Sequence, residues 1–298
     1  MQVTNLRPLQ PYLSSPDVVE VMVVNGTDIW VERTNGIVHE GSITSSDVAH
    51  VVEGISRLSG RRVDTMSPIL DARLPDGSRA CVVLPPVSIH GVSINIRKFP
   101  SRVLPLAAFA TEKVCNQVRQ LVTSHANVVV SGATSTGKTS LISAATEWFE
   151  PEERVVCVED TAEIRCRYAH AVYLQTRPAN QEGNGLISLH HLVTTSLRMR
   201  PDRLIVGEVR GEEVVDMLLA LSSGHTGSWT SVHAVSADHT VARLASLLQR
   251  HHPQWSRATS IDLVTSAIDA VIHLERLPHG RRFISDVLVF NKNMTTAS

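Results

Sequence analysis

The chain has 298 residues, of which 43% are hydrophobic and 19% charged, an ordinary composition for a globular protein with room for two domains. Its formal net charge of −1 gives no overall basic surface, so composition argues against nucleic acid as the main partner. No apolar run approaches the ~20 residues of a membrane-spanning helix, and the first residues lack a signal peptide's apolar core. The four cysteines have no C-x-x-C spacing, which favours buried free thiols in a cytoplasmic protein.

The first part of the chain predicts a small α/β domain, placed at residues 1–99. Alternating apolar residues separated by Asn-Gly and Asp-Gly turns predict a sheet, and apolar residues at helical spacing predict a helix that residues 45–47 cap and that ends at Gly60. The predicted strands are residues 17–24, 28–33, 37–40, 69–74, 79–84 and 92–97.

Two prolines and a polar stretch predict a linker at residues 100–110, followed by a second domain at residues 111–298. From residue 127 onward, strands and helices alternate, which predicts a doubly wound, mostly parallel sheet. The predicted strands are residues 127–131, 154–158, 171–175, 203–207, 229–232, 271–276 and 283–290. The predicted helices are residues 111–124, 138–148, 188–198, 211–222, 237–250 and 260–269.

One motif dominates the second domain. Residues 132–139 read GATSTGKT, which fits the phosphate-binding pattern G-x-x-x-x-G-K-[ST], and they lie between a predicted strand and a predicted helix. Backbone N–H groups of such a loop wrap phosphate, Lys138 is expected to reach the β- and γ-phosphates, and Thr139 to ligate Mg²⁺. A glycine-rich turn that matches by chance is the alternative. The predicted nucleotide-binding residues are Gly132, Ala133, Thr134, Ser135, Thr136, Gly137, Lys138, Thr139 and Ser140.

Carboxylates follow two other predicted strands. Glu208 ends an apolar run about 70 residues after the loop lysine, where a parallel sheet would bring it to the same edge, and we predict that it activates water. An acidic residue at the start of the next helix would look similar. Glu159, Asp160 and Glu163 follow the strand at residues 154–158 and are candidates to support Mg²⁺ through water, although a solvated acidic loop would give the same pattern.

Two histidines, His225 and His233, bracket a glycine-rich approach to the strand at residues 229–232. Either imidazole could bind the γ-phosphate, but on sequence alone a satisfied polar residue is the more common role. The adjacent pairs at residues 190–191 and 251–252 point apart on a helix, which favours solvated surface over a metal site. Several arginines near predicted element ends could stabilise charge on a transferring phosphate.

Three longer stretches, residues 175–183, 196–211 and 224–234, resemble the type II/type IV secretion ATPases, most closely the CpaF/TadA pilus-assembly branch. The resemblance extends over nearly the whole chain, including residues 17–33 and 93–99. In this family pattern Glu159 to Glu163 fall in the aspartate box, Glu208 in the Walker B motif and His233 in the histidine box. Val235 departs from the asparagine that commonly follows His-Ala in this branch, which leaves the hydrogen bonding of the histidine box open.

This resemblance implies a RecA-like P-loop ATPase domain with a smaller, PAS-like α/β domain at the amino end. It implies an Mg²⁺-dependent ATP hydrolase that forms a homo-hexamer and works on an inner-membrane platform protein to assemble pili or secrete proteins. We therefore expect ATP and Mg²⁺ as cofactors, a cytoplasmic location at the inner face of the membrane through partners, and no nucleic acid. The catalytic candidates are Glu208, Lys138, His233 and Glu163. The arginine candidates are Arg97, in the position from which the family's amino-terminal domain contacts nucleotide, and more weakly Arg198 and Arg210.

Two other functions stay open at this stage. A nucleotide-binding switch without productive turnover would keep the phosphate loop but would have little need for a water-activating carboxylate at Glu208. A DNA-translocating ATPase of the conjugation type would share the whole motif set and would be revealed by turnover that DNA stimulates.

Overall fold

The computed structural model of the chain describes residues 6–33, 36–99, 103–168, 170–179, 183–277 and 280–290. The chain divides into two compact units, Met1–Arg102 and Val103–Ser298. In the described ranges no helix is long and apolar enough to cross a membrane.

In its described residues, the amino-terminal unit is an antiparallel sheet with two α-helices. Its sheet has the order β3-β2-β1-β6-β5-β4, and the apolar positions on one face pack with α1, α2 and the turn before α1 into one core. The strands are β1 (Val18–Val24), β2 (Asp28–Arg33), β3 (Gly36–Ser42), β4 (Ile69–Arg73), β5 (Arg79–Val83) and β6 (Ser93–Arg97). The helices are α1 (Gln10–Ser14) and α2 (Ser45–Ser59).

The carboxyl-terminal unit is built on a seven-stranded sheet of order β13-β12-β7-β11-β10-β8-β9. All neighbouring strands are parallel except β12 and β13, which form an antiparallel hairpin. The strands are β7 (Val128–Gly132), β8 (Val155–Glu159), β9 (Ala171–Gln175), β10 (Arg203–Val206), β11 (Trp229–Val232), β12 (Ala270–Arg276) and β13 (Arg282–Val289). The helices are α3 (Glu112–Thr123), α4 (Lys138–Ala145), α5 (Leu189–Ser196), α6 (Glu213–Ser222), α7 (Ala237–His251) and α8 (Arg257–Ala267).

Helices cover both faces of this second sheet. Because successive strand side chains point to opposite faces, Val128 and Val130 of β7 pack in the core beneath α3 and α4, whereas Val129 packs in the core that contains α5 to α8. The central strands are buried throughout, which explains why they read as continuous apolar runs in the sequence. The predicted α/β class and the doubly wound, mostly parallel sheet are confirmed.

Several helix boundaries differ from the prediction for local reasons. The cap of α2 is Thr44, whose hydroxyl accepts the N–H of Asp47 at 3.1 Å while the Asp47 carboxylate accepts the N–H of Thr44 at 3.2 Å. Helix α8 begins three residues early because the Ser256 hydroxyl accepts the N–H of Thr259 at 3.0 Å. Helix α6 begins late because the Glu213 carboxylate accepts the N–H of Arg210 and holds a turn there.

The cysteine expectation is partly wrong. All four are free, but Cys81 is exposed on β5 and Cys166 is half-buried, so only Cys115 and Cys157 are the buried thiols that spacing suggested. Cys81 occupies the face of the amino-terminal sheet opposite the core, since its neighbours Ala80 and Val82 face inward.

A buried ion pair lies at the amino-terminal edge of the second sheet. Arg203, at the start of β10, is 1% exposed, and its Nε donates to Glu153 at 2.7 Å. Its Nη2 donates to the carbonyl of Val122 at 3.1 Å, and the guanidinium lies 4.3 Å from the centre of the Phe149 ring. Removing only one partner of such a buried pair destabilises the folded protein strongly, because the other charge then stays buried without a counter-ion.

We therefore expect Arg203→Leu to lower the free energy of unfolding by about 3–5 kcal/mol. The double variant Arg203→Leu/Glu153→Leu is expected to recover part of this loss, because it leaves no buried charge behind. Thermal unfolding of the full-length variants measures the difference. Losses that simply add in the double variant would show that the pair is not coupled.

Candidate active site

The phosphate-binding loop spans the end of β7 and the start of α4. Gly132 has φ +153°, and a Cβ placed there would lie 2.5 Å from the Leu274 carbonyl oxygen, so no other residue fits without a shift. Gly137 caps α4 with φ +95°. Thr136 closes the loop by donating its hydroxyl to the Ala133 carbonyl at 2.9 Å. The sequence thus folds here into a fixed turn that ends at a helix amino terminus, where anions are favoured.

Lys138 is the buried cation of the loop. Its side chain curls back so that Nζ donates to the carbonyl oxygens of Gly132 at 3.0 Å and Ala133 at 2.9 Å. Burial lowers the pKa of Lys138, an effect that the nearby Glu208 carboxylate opposes. The ammonium group is therefore held by weak neutral acceptors at a place where a phosphate oxygen would bind it more strongly.

Strand order places His233 between this lysine and Glu208. Strand β11 pairs with β7 on one side and β10 on the other, so the residues that follow these strands meet at one edge of the sheet. His233 Nδ1 lies 3.2 Å from Lys138 Nζ, and His233 Nε2 lies 3.3 Å from a carboxylate oxygen of Glu208. Because an ammonium group can only donate, Nδ1 accepts from Lys138 and the Nε2–H points to Glu208.

The backbone around Glu208 is tied to both neighbouring strands. The N–H of Gly207 donates to the Val158 carbonyl at 2.9 Å, and the Ser231 hydroxyl donates to the Gly207 carbonyl at 2.6 Å. The Glu208 side chain itself stays 31% exposed. Because solvent reaches this side chain, the carboxylate can accept a proton from a water molecule.

The acidic residues after β8 lie in two different settings. Glu159 is buried, and its carboxylate accepts the N–H groups of Glu163 at 3.0 Å and Ile164 at 3.1 Å, so it shapes the loop that follows. Asp160 is half-buried and forms an ion pair with Arg210. Glu163 is partly exposed. The described residues contain no group of three or more His, Cys, Asp or Glu side chains arranged to hold a metal.

The remaining arginine and histidine candidates are spread over the molecule. Arg198 is exposed after α5, and Arg97 is exposed at the end of β6 in the amino-terminal unit. His225 precedes β11, at the edge of the sheet opposite the loop, and its Nδ1 contacts the Ala220 carbonyl at 3.2 Å. A strand of four residues, about 13 Å long, separates it from His233, so within this unit His225 lies away from the loop, in the satisfied polar role that the sequence favoured.

Sequence reasoning missed a polar pair beneath the loop. Ser131, fully buried at the end of β7, lies 2.9 Å through its Oγ from Nδ1 of His273 on β12. Burial lowers the pKa of His273, which favours its neutral form. The two residues are 142 positions apart, and only the parallel pairing of β12 with β7 brings them together.

A cavity of about 930 Å³ opens beside the loop. Its walls come from the loop, from the segment after β11, from α7 and from the end of β12. Basic groups are prominent among them, with one carboxylate at Glu275. The charged and histidine side chains that line it are His233, His239, Arg243, His273, Glu275 and Arg276.

A phosphate-binding loop at the carboxyl edge of a mostly parallel sheet, with an acidic residue at the end of a nearby strand, is the architecture of the P-loop NTPases. A family model described as "Type II/IV secretion system protein" matches residues 2–296. The chain belongs to this family. The resemblance drawn from the sequence is thus confirmed at the level of the family.

Two relatives are similar over most of their length. The chain is 34% identical to a candidate conjugal transfer protein of Mycobacterium tuberculosis strain H37Rv. That alignment runs over 305 residues and covers 98% of this chain and 86% of that protein. It is 31% identical over 304 residues to the type IV secretion system protein PtlH of Bordetella pertussis, with coverage of 91% and 89%.

Solved structures agree with the fold. The VirB11 ATPase from the Brucella suis type IV secretion system, in complex with sulphate, aligns with a TM-score of 0.53 at 26% identity, over 95% of this chain and 93% of that one. The Legionella pneumophila ATPase DotB aligns with a TM-score of 0.67 at 20% identity, over 94% and 79%. The second likeness shows the fold alone, and together they confirm the two-domain, RecA-like architecture.

Gly132→Ala tests how tightly β12 confines the loop. We expect it to lower the free energy of unfolding by about 3 kcal/mol or more, because it adds a clash to a backbone conformation that suits glycine. Gly183→Ala is the matched control, since Gly183 has φ +79° but open space around its Cβ position, and we expect a cost of about 1–2 kcal/mol. Equal losses in urea unfolding would contradict the confinement.

Proposed function

We propose that this protein is an ATPase that powers a secretion-type machine. The observation that carries the proposal is the line Lys138, His233 and Glu208 at the mouth of the phosphate-binding loop, with consecutive contacts of 3.2 and 3.3 Å. A loop alone would support binding. A histidine that joins the loop's cation to a partly exposed carboxylate supports hydrolysis, because it links the group that holds phosphate to the group that can take a proton from water.

The proposed reaction begins when the triphosphate replaces the loop's own carbonyl oxygens around Lys138. The N–H groups at the start of α4 hold the phosphates, and the lysine neutralises charge between the β- and γ-positions. Glu208 orients a water molecule and accepts its proton as the water oxygen attacks the γ-phosphorus, and the bond to the β-phosphate oxygen breaks to leave ADP and inorganic phosphate. His233 then responds to the γ-phosphate because it touches both Lys138 and Glu208.

The side chains near the loop fit Mg²⁺ as this ion is usually held in nucleotide sites. Mg²⁺ takes one or two protein oxygens and completes its shell with phosphate and water, so a dedicated cluster of carboxylates is not required. Thr139 and Asp160 would supply such oxygens, whereas the Glu159 carboxylate already accepts two backbone N–H groups. When bound, the ion would neutralise charge on the phosphate oxygens.

Membership of the family supports a proposal about assembly. We propose a ring of six copies in which arginines such as Arg97 complete the nucleotide site, at the cytoplasmic face of a membrane that the protein reaches through a platform partner. Assignment to the CpaF/TadA pilus branch rests on the motifs alone. The relatives named for conjugal transfer and for type IV secretion favour a broader statement, in which the machine exports protein or assembles a pilus.

A conjugation-type motor that acts on DNA is the second candidate, favoured by the conjugal transfer relative. The formal net charge of −1 weighs against it. Turnover measured with and without double-stranded and single-stranded DNA decides between the two, since stimulation that disappears with rising salt would favour the DNA motor.

Glu208→Gln tests the proposed chemistry most simply. We expect it to retain ATP binding and to lose about a hundredfold or more in turnover, because an amide cannot accept the proton of water. Glu212→Gln, at an exposed residue four positions later, is the matched control and is expected to behave as wild type.

The assay is phosphate release over a wide range of protein concentration. Specific activity that rises with concentration would support sites completed between copies. ATP binding without turnover at every concentration would favour the nucleotide switch, and a fully active Glu208→Gln variant would remove Glu208 from the mechanism.

A further inference from the structure

The hairpin of β12 and β13 contacts the phosphate-binding loop at both of its glycines. On one side Leu274 of β12 pairs with Gly132, close enough that its carbonyl oxygen occupies the space of a Cβ there. On the other side the side chain of Arg282 on β13 lies against Gly137, with Cδ at 2.8 Å from the Cβ position of that glycine. Both glycines of the motif are therefore confined by the same hairpin, about 140 residues later in the chain.

Arg282 brings a cation to the amino terminus of α4. Its Nε and Nη1 both lie 3.5 Å from the Cβ position of Gly137, the residue that caps that helix. This is the place where the helix dipole and the free N–H groups attract an anion. A guanidinium group there can donate two hydrogen bonds to phosphate oxygens, in a geometry that a lysine cannot copy.

Arg276 supplies a second cation from the facing strand. Arg276 and Arg282 are direct partners in the register of the hairpin, and like charges directly opposite each other destabilise a strand pair. Arg276 also lines the cavity beside Ala133, Thr134 and Thr136 of the loop. The hairpin thus places two cations beside an anion-binding loop, one against Gly137 and the other in the wall of the adjoining cavity.

We propose that Arg276 and Arg282 form a clamp on the polyphosphate of the bound nucleotide, supplied by the same unit that carries the loop. This inference rests on the proposed function and adds binding residues to it. It differs from the arginines expected from the motifs: Arg97 belongs to the other unit, Arg198 is exposed after α5, and Arg210 is paired with Asp160. The clamp would bind the nucleotide before any neighbouring copy contributes.

The test is ATP and ADP affinity by titration calorimetry at low protein concentration, for wild type, Arg282→Ala and Arg276→Ala. Arg281→Ala is the matched control, since it removes the same charge from the adjacent exposed residue. We expect Arg282→Ala and Arg276→Ala each to weaken ATP binding about tenfold or more, as for loss of a charge-assisted hydrogen bond. The salt dependence of ATP affinity should also fall in both clamp variants and not in Arg281→Ala.

Arg282→Gln and Arg282→Lys distinguish an effect of the lost charge from an effect on the structure. Gln keeps a polar side chain as far as Cδ without the charge and should bind like Arg282→Ala, whereas Lys should recover part of the affinity at low salt. Thermal unfolding checks that each variant is folded, and if Arg282→Ala is not, Arg276→Ala and Arg282→Gln decide the matter.

Two failures can be told apart. If wild type binds no ATP, the proposed function fails together with the clamp. If wild type binds ATP and the folded clamp variants bind it as tightly as Arg281→Ala does, the clamp alone is wrong. A loss in Arg282→Ala that Arg282→Gln restores would also overturn it, because charge would then not be the cause.

Discussion

The backbone pairing of β7 with β11 on one side and β12 on the other is the constraint on which the site depends. Parallel strands end at the same edge of a sheet, so this pairing fixes what surrounds the loop that follows β7. His233, which follows β11, lies beside the loop, and Glu208, which follows the next strand β10, lies beside His233. From β12 the loop receives the Leu274 carbonyl and the hairpin that carries Arg282. The pairing of the strands therefore determines which side chains surround the phosphate-binding loop.

The cationic side chains around the loop favour the binding of an anion at this edge of the sheet. Lys138 is buried and satisfied mainly by carbonyl oxygens, whose attraction for an ammonium group is weaker than that of a phosphate. Basic groups from α7 and β12 line the adjoining cavity. The Glu208 carboxylate is joined to Lys138 through His233 and is partly exposed. The arrangement favours binding of a polyanion with a proton acceptor beside it.

Much of the second domain could be predicted because its signals are local. Buried strands such as β7 read as apolar runs, the GATSTGKT motif is contiguous, and Glu208 follows its strand directly. Helix starts were less predictable, since Thr44 and Ser256 act as caps through contacts three residues ahead, and several neighbouring residues could have done the same. The amino-terminal sheet was predicted strand by strand from its turns and alternation.

Features that depend on strand order could not be predicted from the sequence. His225 and His233 look equivalent around their strand, and only the direction of β11 shows that one of them is at the wrong end. The Ser131 and His273 pair, and the contact of Arg282 with Gly137, join residues more than 140 positions apart. A contiguous sequence motif carries no information about contacts between residues so far apart in the chain.

We propose that the Lys138 ammonium group leaves the backbone carbonyl oxygens of its own loop when nucleotide binds. The most direct measurement is a crystal structure of the protein with Mg²⁺ and a non-hydrolysable ATP analogue. We expect phosphate density within the loop, Lys138 Nζ moved from the carbonyl oxygens of Gly132 and Ala133 to the β- and γ-phosphates, and His233 close to the terminal phosphate. Analogue bound elsewhere, or bound in the loop with Lys138 still on those carbonyl oxygens, would contradict it.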